Sequence, residues 1–173
     1  MVKEMAKNEK LIQIFEYALN QERTGMNFFQ TSLERMGVGA AITALKRLIE
    51  EEQKHIDFIT RILEDLKVGN EIGPFAFDAP VMEPTNYFDE RAKSEFLDQC
   101  VQGSMVPDVT IFNLAWLIEK DLAEFYSSMA AQTDGKAAEA LAMLSRWEKE
   151  HERFFREYRD KLSDVYAHMP WGG

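Results

Sequence analysis

The 173-residue sequence predicts an all-α fold, a four-helix bundle with a long crossover between its second and third helices. Three observations carry that expectation. Apolar residues recur at alternating three- and four-residue steps through four stretches, the mark of one buried helical face. No stretch alternates apolar and polar residues as a half-buried strand does. Short links after residues 36 and 133 imply antiparallel hairpins, whereas residues 68–107 contain four of the five prolines and are too long for an ordinary helix–helix link.

The first helix is expected over residues 8–36. Its stripe is Ile12, Phe15, Leu19, Met26, Phe29, Leu33 and Met36, and the one missing step is Glu22. Gly25 lies inside it at a cost in helix propensity; it leaves room for a neighbouring helix or a ligand, or has no role. Gly37 and Gly39 end the helix. The second helix, over 40–67, carries Ile42, Leu45, Ile49, Ile56, Ile59, Leu63 and Leu66. Glu52 occupies its missing step and His55 follows one turn later on the same side. Taken alone, that pair is more often a stripe-edge glutamate beside a satisfied core histidine. Gly69 and Asn70 are the stop signal.

Within 68–107 only the stretch near 88–102 reads as a short helix, bounded by Pro84, Gly103 and Pro107. Phe75, Phe77, Tyr87, Phe88 and Phe96 supply more apolar surface than a disordered linker carries, so this segment is expected to cross along the bundle. The third helix, 108–133, opens with Asp108 as N-cap. Its stripe is Phe112, Ala115, Leu122, Tyr126 and Met129, interrupted by Glu119. Asp134-Gly135 turns the chain into the fourth helix, 136–166, where Glu148 and His151 interrupt Leu141, Leu144, Phe155, Tyr158 and Leu162. The whole chain, 1–173, reads as one domain.

Composition excludes several function classes. Thirty acidic against twenty basic residues give a net charge of -10, which argues against binding to nucleic acid. Cys100 is the only cysteine, so neither an intrachain disulfide nor a Cys-x-x-Cys metal site can form. The polar start MVKEMAKNEK lacks the apolar core of a signal peptide, and no apolar run is long enough for a membrane span. A cytoplasmic, reducing location is therefore expected.

Each predicted helix breaks its stripe near the middle with a glutamate, and two of these begin Glu-x-x-His. The spacing repeats: Glu22 to Glu119 is 97 residues, and Glu52 to Glu148 and His55 to His151 are each 96. The flanks ALNQERTGMNFF and AWLIEKDLAEFY also match in character, so the chain is an internal duplication of one helix pair. Four carboxylates converging in an apolar interior would repel one another and be poorly solvated. Two divalent cations balance four glutamates, and two imidazoles complete a ligand set that suits iron or manganese, or a mixed pair. Without cations, removing any one of the four charges is expected to relieve repulsion. Glu22, Glu52, His55, Glu119, Glu148 and His151 are thus the candidate metal ligands and, through the metals, the candidate catalytic residues. Glu50, Glu51, Glu124, Glu150 and Glu152 lie off the stripes, although a small rotation would let Glu51 replace Glu52.

At these residues the chain resembles the rubrerythrin-like branch of the ferritin-like superfamily, whose bundles hold two irons on one Glu from each of two helices and Glu-x-x-His from the other two. The resemblance covers the four helices. It implies a ferritin-like bundle, two iron ions bridged by Glu52 and Glu148, and oxidation of ferrous iron by hydrogen peroxide or dioxygen in oxidative-stress defence. Rubrerythrin proper has a C-terminal rubredoxin domain with four cysteines, absent here, so electrons are expected from a separate donor such as a rubredoxin-like protein. Leu122 stands where rubrerythrin proper has a further glutamate. Phe29 in the first half matches Tyr126 in the second, leaving Tyr126 as the one phenol placed to orient a ligand or to donate an electron or proton; a hydrogen-bonded core tyrosine is the plain alternative. A homodimer or higher homo-oligomer is expected. The same centre also suits a ferroxidase, or a noncatalytic bundle stabilised by metal.

Overall fold

Where the three-four rhythm of apolar residues runs, the chain is helical. The computed structural model describes residues 2–35, 40–73 and 109–168. Among them lie four helices and no strand: α1 (Val2–Arg35), α2 (Ala40–Lys67), α3 (Val109–Gln132) and α4 (Gly135–His168). This is a ferritin-like four-helix arrangement. The glycine link at 37–39, the crossover beyond residue 73 with its short helix, the Asp108 cap and Cys100 lie outside the described residues.

α1 packs along α2, α3 packs along α4, and α1 approaches α3, which joins the two hairpins. Cross-contacts run in the antiparallel sense: Ser145 Oγ donates to the Ala123 carbonyl, while nearer the opposite ends Phe112 packs on Tyr158. α1 starts six residues before the expected boundary, because nothing between Val2 and Lys7 stops a helix. Asn8 does not cap it. Its side-chain amide donates to the Leu66 carbonyl at 3.0 Å, tying α1 to the end of α2.

α2 ends as its glycine predicts. Gly69 takes a φ of +81°, Asn70 N–H returns to the Asp65 carbonyl at 2.9 Å and Gly69 N–H to that of Leu66 at 3.1 Å, a Schellman cap. Ile72 then turns into the core, its carbonyl accepting a hydrogen bond from Lys136 at the start of α4. At Gly25 a Cβ would stand 3.4 Å from Ile118 Cγ2, an ordinary van der Waals distance, so α1 and α3 are neighbours there without the space requiring glycine.

The apolar interior forms two clusters. One gathers Phe15, Ile59, Ile62, Leu122, Tyr126, Leu141 and Leu144; the other gathers Phe29, Leu45, Phe112, Ala115, Phe155 and Tyr158. Of the residues flanking the glutamates on the stripes, Ile56, Ala115, Leu122, Leu144 and Phe155 are buried, and Leu19, Met26 and Ile49 are half-buried.

Candidate metal centre

Because each glutamate takes a step of an otherwise apolar stripe, packing the stripes together carries all of them inward. Glu22 on α1, Glu52 and His55 on α2, Glu119 on α3, and Glu148 and His151 on α4 are all buried, none more than 4% exposed. Isolated ionised side chains would be very costly there. They are not isolated.

His55 Nδ1 lies 2.8 Å from Glu148 Oε1, 3.4 Å from Glu52 Oε2 and 3.8 Å from Glu22 Oε2. His151 Nδ1 lies 3.1 Å from Glu52 Oε1, 3.4 Å from Glu148 Oε2 and 3.6 Å from Glu119 Oε2. Glu52 and Glu148 thus each turn one oxygen to each imidazole. Glu22 reaches only the His55 side and Glu119 only the His151 side. The two rings are stacked 5.4 Å apart, and one ligand atom from each of Glu52, His55, Glu148 and His151 lies within 4.8 Å of all the others.

Several of the atoms in these contacts lack a well-formed hydrogen bond. Glu22 Oε2, Glu52 Oε1, His55 Nδ1 and both oxygens of Glu119 and Glu148 are buried with no hydrogen-bond partner. Leaving such groups unsatisfied costs about 1–3 kcal/mol each. Six buried donors facing one another, with several of their atoms unsatisfied, fit a pair of cations. Their four carboxylates and two imidazoles form the oxygen-rich, nitrogen-containing shell of iron or manganese rather than of a thiolate-seeking metal.

Charge divides the carboxylates in two. Burial, reinforced by neighbouring glutamate charges, raises the carboxyls of Glu22 and Glu119 well above their ordinary range. Burial also pushes up Glu52 and Glu148, but the two imidazoles outweigh it and hold both below the ordinary range. Burial opposes charge on His55 and His151, yet the surrounding carboxylates raise both well above the ordinary imidazole value. In the metal-free interior, burial thus favours the neutral form of Glu22 and Glu119, while the imidazoles favour the charged form of Glu52 and Glu148. Crowding and burial raise two of the four carboxyls, in keeping with the expectation that they repel one another when no cation is present.

A family model described as rubrerythrin matches residues 13–159, a span that includes every one of these side chains. The chain belongs to the rubrerythrin family. Comparisons with curated proteins and with solved structures gave no match. Among the described residues no helix is long and apolar enough to cross a membrane.

Other carboxylates of the chain lie apart from the cluster. Glu51 pairs with Lys54 at 2.6 Å, so α2 is not rotated to bring it inward. Glu150 pairs with Arg153, and Glu152 with Arg156, while Glu50 and Glu124 are exposed. Two features were not legible from spacing. Tyr126 is two turns from Glu119 on α3, yet its hydroxyl donates across the bundle to Glu22 Oε1. Trp147 lies parallel to the His55 ring, 5.0 Å away, and Phe58 meets it edge-on, so apolar aromatic surface closes that side of the centre. Its place beside Glu148 is a sequence signal, but its partner is on another helix.

Proposed function

We propose that Glu22, Glu52, His55, Glu119, Glu148 and His151 hold two iron ions and that the protein reduces hydrogen peroxide there, using electrons from a separate donor. The observation that carries this reading is the double reach of Glu52 and Glu148, each with one oxygen toward each imidazole, inside a rubrerythrin-family bundle. Bound ferrous ions would supply the two electrons needed to convert peroxide to water.

The chain's own residues provide the setting. Glu22 with His55 and Glu119 with His151 form the two ends of the donor set, and Glu52 and Glu148 lie between them. Tyr126 holds Glu22 through its hydroxyl. The apolar clusters surround these groups, which strengthens electrostatic interactions within the centre.

Leu122, one turn past Glu119, is buried among apolar residues and adds no carboxylate. That favours a second reading, a ferroxidase that turns over iron itself. The two are separated by loading the protein anaerobically with ferrous iron, measuring about two irons per chain, and comparing re-oxidation by peroxide and by dioxygen. Faster reaction with peroxide supports the first reading, and faster reaction with dioxygen the second. Indifference to both would leave a metal-stabilised bundle without redox turnover.

A further inference from the structure

The internal repeat relates Glu22 to Glu119 and His55 to His151, and it also relates Phe29 to Tyr126. Each aromatic residue stands seven positions after its glutamate. In one half of the centre the Tyr126 hydroxyl on α3 donates to Glu22 Oε1 on α1. Glu22 Oε2 is left facing His55 Nδ1 at 3.8 Å. In the other half Phe29 has no hydroxyl to give. It is buried against Phe155, their rings 5.8 Å apart and 14° from parallel, and both Glu119 oxygens lack a hydrogen-bond partner.

We infer that Tyr126 is a positioning residue that makes the two metal positions unequal. It occupies one oxygen of Glu22 and so fixes the other toward the centre, while Glu119 keeps both oxygens available. A carboxylate held by a hydrogen bond is preorganised and presents one donor atom; an unheld one can turn and use two. Partners of this kind orient ligands and set their basicity. This rests on the six-ligand reading above and deepens it: the repeat supplies two similar halves, and a single hydroxyl distinguishes them.

The test is an anaerobic titration of metal-free protein with cobalt(II), followed by calorimetry and by the visible ligand-field bands. Wild type is expected to fill in two resolved steps about tenfold or more apart, with different spectra for the first and second equivalents. In Tyr126→Phe the steps should draw together and the two spectra become more alike. Phe29→Tyr, which restores the phenol at the position the repeat relates to Tyr126, should also narrow the gap; if it fails to fold, Tyr126→Phe decides alone. Equal steps in wild type, or a gap unchanged in Tyr126→Phe despite lowered thermal stability, would reduce Tyr126 to a core tyrosine and overturn the inference while leaving the two-metal reading intact. Wild type binding fewer than two cobalt ions would overturn both.

Discussion

Loading the metal-free protein with two divalent ions will expel up to four protons. Burial favours the forms of Glu22 and Glu119 that keep their protons, and the surrounding carboxylates favour the forms of His55 and His151 that keep theirs. All four must give these up to act as ligands. One proton changes a binding free energy by about 1.4 kcal/mol per pH unit, so four change it by up to ~5 kcal/mol per unit. Affinity therefore rises steeply with pH. Stability of the metal-free protein moves the other way. For the two raised acids it falls as pH climbs above the ordinary value of 4.5, where the unfolded chain has already lost its protons. For the two raised imidazoles the stabilisation is full below the ordinary 6.5 and is lost as pH rises through their folded values. Glu52 and Glu148, lowered in the fold, add stability above 4.5 that is lost on further acidification. The gap in melting temperature between metal-loaded and metal-free protein should accordingly widen from about pH 5.5 to about pH 8. Zinc(II), which is redox-inert, serves for the melts, and calorimetry in two buffers of different ionisation heat counts the protons. A gap that stays constant, or release of fewer than about one proton per pair of ions, would refute this distribution of protons.

In metal-free protein near pH 6, Glu52→Gln should cost about 3 kcal/mol or more because it removes a carboxylate that faces both imidazoles, whereas Glu119→Gln replaces a group whose neutral form burial favours and should cost about 1 kcal/mol or less; denaturant unfolding separates them. Equilibrium dialysis of Glu148→Ala should show loss of both ions, and of His151→Ala a weakening of one. Leu141→Ala, at a fully buried site, should cost about 2–5 kcal/mol by the same unfolding assay. Gly69→Ala puts a Cβ on a left-handed residue and should lose about 1 kcal/mol, while Gly25→Ala, whose Cβ meets only an ordinary contact, should gain up to about 1 kcal/mol.

The four helices among the described residues, their hairpin pairing and the six buried glutamates and histidines were legible in the chain, because helical periodicity fixes which side of each helix faces inward and a glutamate in that register goes with it. The Gly69 stop was legible for the same local reason. The early start of α1 was not: residues 2–7 lack both a stripe and a breaker, and Asn8 reads as a boundary until its tie to Leu66 is seen. Periodicity places a residue on a face but does not say which side chain of another helix it meets. Only the tertiary structure decided that Glu52 and Glu148 each face both imidazoles, that Tyr126 serves Glu22 rather than the Glu119 of its own helix, and that Trp147 covers His55. The distribution of charge belongs with these. The sequence sets Glu52 and Glu148 apart by the histidine that follows each, but protonation depends on distance and burial, and distances between helices exist only once the bundle has closed.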